Sequence, residues 1–312
     1  MYRWTRPAWA LILLTVVGSH SAEAEQILAP YALASYSFTA SYQGTQALHE
    51  SGSVSPPIGA ASLTGDAQGS FQGDAFDFSA SASSTGLSLD RFGNFTLDFG
   101  AAASLNFDTD GLDSRFLSRA DAASLSFFLF DYAPWTNRPG VATFFFHIDG
   151  VVSNGAQSSE EAALFVDSGR AAPLNPSNLF GQWSIDFISG NNCVKCQIWE
   201  FPQSTSQTVA VKIPFAYGQW NALSLDFVAV VSALSPRGTG QGAADFSHTL
   251  TLMNVVAEDE DGNLAPDASA RVVSTTQVPE PSSLVLLVAG LGLLAACGGR
   301  ARHRRDQSLL NC

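Results

Sequence analysis

Four groups of residues in this chain have types and spacings that could do chemistry. The first is Asn106-Phe107-Asp108-Thr109-Asp110-Gly111. Oxygen ligands at alternate positions, closed by a glycine that permits a sharp turn, are how a calcium loop opens. The twelfth position of such a loop needs a bidentate acid, and here it is Leu117, so an EF-hand is not supported. Ca²⁺ is then expected only through Asn106, Asp108 and Asp110, with Asp113 as a further oxygen. An Asp/Gly-rich turn between strands explains the same residues without an ion. The second group is Cys193-Val194-Lys195-Cys196. A redox dithiol would need a βαβ context, and zinc would need two further ligands at matching spacing; neither is present. A small-loop disulfide pinning a turn is the expectation for an oxidising compartment.

The third group is aromatic. Trp135, in Ala133-Pro134-Trp135-Thr136-Asn137, has the loop setting of a sugar-stacking platform, although most tryptophans at strand spacing are core. Trp183, Trp199 and Trp220 carry the same two readings. The fourth group is the carboxylates. Glu50, Glu160, Glu161 and Glu200 can supply a hydrolytic pair, because such pairs meet in space rather than in sequence. The run Glu258-Asp259-Glu260-Asp261 crowds four acids beside Gly262 and reads best as a solvated hairpin tip. His49, His147 and His248 show no spacing that implies a joint site. No nucleophile elbow, HExxH or SxxK with partners occurs. No cofactor is required by any of these patterns. The leading reading is therefore non-enzymatic, with a glycan-active hydrolase on a jelly-roll scaffold as the alternative.

The two ends say where the protein goes. Arg3 and Arg6 precede an apolar run from Ala8 to Val17, and Ala22-Glu23-Ala24 fits a small-x-small cleavage pattern. This reads as a Sec-type signal peptide over residues 1–24, cut by signal peptidase after Ala24. At the other end, Val278-Pro279-Glu280-Pro281 is held extended by its two prolines. Residues 282–299 follow without a charge. As a helix they reach roughly 27 Å, just short of a hydrocarbon core of about 30 Å. Arg300, Arg302, Arg304 and Arg305 come next and would stay cytoplasmic, with residues 306–312 as a short cytoplasmic tail.

This order of parts resembles the PEP-CTERM sorting signal of Gram-negative bacteria. The resemblance rests on Pro279, Glu280 and Pro281, the Ser282-Ser283 step, the Leu/Gly/Ala-rich run and the arginine cluster, about 30 residues in all. It implies recognition by an exosortase, removal of the tail near the motif, and delivery from the inner membrane to the cell surface or extracellular matrix. It also implies a host that makes exopolysaccharide and biofilm.

Between the ends, residues 25–277 are acidic. The 312-residue chain carries a formal charge of −13. Without Arg3, Arg6, the four tail arginines, Glu23, Glu280 and Asp306, 9 basic face 25 acidic groups, a net −16. That balance excludes nucleic acid as a partner and suits a soluble extracellular domain. Apolar residues make up 46% of the chain, enough for a core.

The elements that must position these groups are strands. Period-2 alternation recurs at Tyr36-Phe38-Ala40-Tyr42, Phe76-Phe78, Leu87-Leu89, Phe95-Leu97-Phe99, Leu125-Phe127-Leu129, Phe144-Phe146-Ile148, Trp183-Ile185-Phe187, Val209-Val211-Ile213 and Leu223-Leu225-Phe227. Phe246, residues 249–256 and 271–275 complete about a dozen strands. The rhythm predicts an all-β antiparallel sandwich or jelly roll over residues 25–277. Pro56-Pro57, residues 170–178 and residues 235–242 read as surface loops.

Overall fold

A computed structural model describes residues 26–273, apart from 57–58, 72, 110–112, 154, 156, 175–181, 188–196 and 266–267. The signal peptide, Cys193, Cys196, Asp110 and the whole sorting tail lie outside the described residues. No helix among the described residues is long and apolar enough to cross a membrane. The predicted membrane helix, residues 282–299, falls outside them.

The fold is two antiparallel sheets face to face. The larger runs β1 (Gln26–Leu28), β12 (Trp183–Phe187), β11 (Ser158–Pro173), β15 (Asn221–Leu234), β9 (Ser114–Asp131), β2 (Tyr31–Tyr42), β3 (Thr45–Val54). Two short strands complete it: β13 (Gln197–Phe201) on β11 and β17 (Ser269–Val273) on β9. The second sheet has six strands: β14 (Thr205–Ala216), β10 (Pro139–Ser153), β16 (Gly238–Asp259), β8 (Asp98–Thr109), β5 (Asp74–Ser84), β4 (Ala61–Phe71). A small hairpin, β6 (Ser88–Leu89) and β7 (Phe95–Thr96), stands apart.

The alternation in sequence becomes the two faces of each sheet. In β5, Phe76, Phe78, Ala80 and Ala82 point inward while Asp77, Ser79, Ser81 and Ser83 point out. Large and small residues interleave between the sheets, as native packing density requires. Phe38 stacks on Phe78 with ring centres 5.4 Å apart, and Phe107 on Phe116 at 5.8 Å. Buried alanines such as Ala34, Ala103 and Ala120 fill the space beside them.

One strand departs from alternation. In β9, Arg115 and Arg119 point outward in the first half, but residues 120–130 are buried on both faces. The cover is a flap. β1 and β2 are joined only by Ala29 and Pro30, which span about 11 Å at most. Their places in the sheet order are five strands apart, about 24 Å if the sheet were flat. The edge therefore curls back over the outer face of the nine-stranded sheet. There Trp183 is fully buried and stacks on Phe127 at 4.3 Å. Leu125, Ala222 and Val273 complete a second, smaller core, with Tyr31 and Trp220 packed against it.

Two of the expected loops are strand instead. Residues 170–173 continue β11, and 238–242 begin β16. The glycines there are needed for close approach: a Cβ on Gly240 would strike the Phe107 ring, and one on Gly242 would strike the Glu160 carboxylate. Phe71 ends β4, and the chain turns before Phe76 and Phe78 in β5.

Candidate functional site

Asn106 and Asp108 stand in β8 as alternate residues on the outer face of the six-stranded sheet, both exposed. The strand there is extended rather than coiled around a point. Cross-strand register sets Asn106 beside Asp77 and Gln241, and Asp108 beside Ala75 and Thr239. With Gln68 opposite Asp77, one rung holds Gln68, Asp77, Asn106 and Gln241 across four strands. No group of three metal-ligating side chains converges among the described residues.

Around that rung the outer face is uniform. β4 contributes Ser62, Thr64, Asp66, Gln68 and Ser70, and β5 contributes Asp77, Ser79, Ser81 and Ser83. β8 adds Asp98, Ser104, Asn106 and Asp108, and the start of β16 adds Thr239, Gln241 and Asp245. None of these is basic, aromatic or larger than glutamine. Ser79 and Ser104 hydrogen-bond each other at 2.7 Å. Arg237 marks the border, just ahead of β16. The far part of the same face changes character, with Phe145 and His147 half-buried and Val151 exposed.

Trp135 lies in a single 3₁₀ turn, Ala133–Trp135, and is half-buried. Its ring meets Tyr132 edge-on at 5.0 Å and Tyr217 at 5.2 Å. The residue is half-buried, so part of it stays open to solvent. Below it the Tyr217 hydroxyl is buried without a hydrogen-bond partner. Burial, then the charges of Asp259 and Glu258, push its pKa up to about 12.

The four-acid run ends in a turn built by one of its members. The Asp259 carboxylate accepts from the backbone N–H groups of Asp261 (3.0 Å) and Asn263 (2.8 Å). Gly262 takes φ +80°. The Asp90 turn repeats this: its carboxylate accepts from the N–H groups of Phe92 and Asn94, and Gly93 has φ +84°. Both follow Asp-x-x-Gly-Asn, and in both the asparagine side chain holds the aspartate pKa below its usual value. These carboxylates are occupied by the backbone.

Glu161 and Glu200 share the outer face of the nine-stranded sheet, where burial and then the Glu200 charge raise the Glu161 pKa. Glu160 points inward, buried, and accepts from Ser158. His49 and His147 belong to different sheets. A small indentation, lined by residues that include Tyr42, Phe71, Asp74, Ser114 and Phe116, is no roomier than one water molecule.

Sequence reasoning missed an ionic cluster on the nine-stranded sheet. Arg119 Nε donates to both Asp121 oxygens at 2.8 Å, and its Nη2 closes the fork. Asp226, on the neighbouring strand, has one oxygen buried without a partner. Burial, then the Asp121 charge, push its pKa up to about 7, with Arg119 pulling the other way. Two signals were available: Arg119 and Asp121 share a strand face at i, i+2, and Asp226 interrupts an apolar run.

Residues 277–305 match the PEP-CTERM protein-sorting motif. The chain carries a PEP-CTERM signal. The match covers the expected VPEP segment, apolar run and arginine cluster, and it marks the protein as exported and targeted to an exosortase, with a membrane-anchored precursor. Neither the curated proteins nor the solved structures provide a match. The PEP-CTERM segment follows Val273, the last residue of β17, by only a few residues.

Proposed function

We propose that this protein is cut from its membrane anchor by an exosortase and works at the cell surface or in the extracellular matrix as a non-enzymatic module contacting exopolysaccharide. The sorting motif carries the destination. The binding role is supported by the outer face of β4, β5, β8 and the start of β16. Hydroxyl, amide and carboxylate groups stand there at strand spacing on a low, uncrowded surface, the kind of array that hydrogen-bonds an extended polyhydroxylated chain in many registers. Trp135, half-buried in its 3₁₀ turn, is a second contact for a sugar ring. The hydrolase reading has one observation in its favour, the electrostatic coupling of Glu161 and Glu200. They stand on an open strand face.

The test has two parts. Fractionation of wild type and of Pro279→Ala/Pro281→Ala reads the destination: the wild type loses its tail and moves outward, while the variant stays in the membrane at full length. Co-sedimentation with the producing cell's exopolysaccharide reads the binding: Asp77→Lys/Asp108→Lys weakens it several-fold without changing Tm. Wild type retained at full length overturns the first part. Equal binding by the lysine variant overturns the second.

A further inference from the structure

The two sheets protect their edges unequally. A strand at the end of a sheet turns alternate N–H and C=O groups outward, and these pair with any strand that comes alongside unless something blocks them. At one end of the six-stranded sheet, β14 is blocked. Pro214 has no N–H to offer, Lys212 stands exposed, and the Gln197 side chain of β13 donates to the Lys212 carbonyl at 2.6 Å. The larger sheet ends in β1, only three residues long, and in β3, which carries Glu50 and whose ladder with β2 is shifted at Ala40/Ser41.

β4, at the other end of the six-stranded sheet, has none of these devices. It pairs with β5 from Ala61 to Phe71 without a register shift, and among the described residues no strand pairs with its other side. It holds no proline, lysine or arginine, and its one charge is Asp66. Ser62, Thr64, Asp66, Gln68 and Ser70 are all exposed. From within, the strand is pinned. A Cβ on Gly65 would strike the Tyr36 ring and one on Gly69 the Phe76 ring, so the core holds β4 close and ordered before any partner arrives.

The sequence of β4 is also complementary to itself. In an antiparallel pair, residues directly opposite share a face. With Ala67 set against Ala67 of a second copy, Asp66 meets Gln68, Thr64 meets Ser70 and Gly65 meets Gly69. Leu63 meets Phe71, and both are half-buried. No acid lies directly opposite an acid. Sliding the pair until Asp66 faces Asp66 sets like charges against each other, so the charge pattern selects between registers.

We propose that β4 is a homotypic docking edge: it pairs antiparallel with β4 of a second copy, about a two-fold axis at Ala67, and joins the two six-stranded sheets into one. The pairing goes beyond the glycan reading and needs no ligand. It makes the hydroxyl-rich outer faces of β4, β5 and β8 continuous across two molecules, which gives an extended polymer two adjoining sets of contacts.

The experiment reads mass and edge protection together, on full-length protein in detergent at about 100 μM, where weak homotypic pairs assemble. Light scattering, with the detergent's share subtracted, gives a dimer for wild type, and hydrogen–deuterium exchange finds β4 protected. Thr64→Lys/Ser70→Lys sets lysine against lysine on both sides of the axis; it runs as a monomer with the wild-type Tm and loses β4 protection at least about tenfold. Thr64→Lys/Ser70→Glu sets lysine against glutamate at the same places and restores the dimer. A monomeric wild type overturns the proposal, and if its β4 is nonetheless protected, another part of this chain covers the edge. A dimer that survives the paired lysines overturns it too, as does a lysine–glutamate variant that stays monomeric.

Discussion

The outer faces of the two sheets follow opposite rules on the same backbone. On the six-stranded sheet, β4, β5 and β8 turn serine, threonine, asparagine and aspartate to solvent in every rung. On the nine-stranded sheet, the end of β9 is buried on both faces, and Trp183 of β12 packs over its outer one. A strand with one wet face alternates; a strand covered twice reads as a continuous run. The Leu125–Phe130 stretch is therefore a record of three layers of chain, while Asp74–Ser84 is a record of two.

The largest expected effect breaks that comparison at its apolar end. Trp183→Ala empties the second core and costs about 3–5 kcal/mol, read as a drop in Tm or denaturation midpoint. Ser79→Ala, outward on the other sheet, changes stability by less than about 0.5 kcal/mol. Equal losses would mean that the flap contributes no packing of its own.

A smaller effect sharpens the contrast electrostatically. The folded-state pKa of Asp226 is raised, so the folded protein holds a proton that the unfolded chain has already released. Stability from this group is fully present at the acid end, falls as pH rises from about 4 to about 7, and stays lower above that. Asp226→Asn should stabilise the protein by about 1–3 kcal/mol at pH about 8 and by little at pH about 4, measured by urea unfolding. Asp77→Asn on the six-stranded face should move neither value.

The smallest effect concerns the turns that close each hairpin. Asp259→Ala removes the acceptor for two backbone N–H groups and should lower the denaturation midpoint slightly, as should Asp90→Ala. Their depressed pKa values give this contribution the opposite sign of pH dependence: it is present above the usual aspartate range and lost as pH falls through it.

Much of the fold was legible because period-2 alternation is local. The inward sets of β10, β14 and β15 stand where Phe144-Phe146-Ile148, Val209-Val211-Ile213 and Leu223-Leu225-Phe227 place them. The sorting signal was legible for a related reason: its proline step, apolar run and arginines are contiguous. The strand at Gly238–Gly242 was not, since glycine reads as loop until the Phe107 ring and the Glu160 carboxylate show why nothing larger fits. The flap was hidden too, because what covers Phe127 comes from a strand more than fifty residues away. The cluster around Asp226 needed β9 and β15 brought side by side.

The seam on β9 sets how this domain would carry tension. Tyr31 pairs with Leu125 and Val273 with Phe127, so the first residue of β2 and the last of β17 sit nearly end to end on one strand. Val272 of the β17 ladder lies in the main core and Val273 in the second, so a pull that reaches this strand is resisted by the ladder and by both cores together.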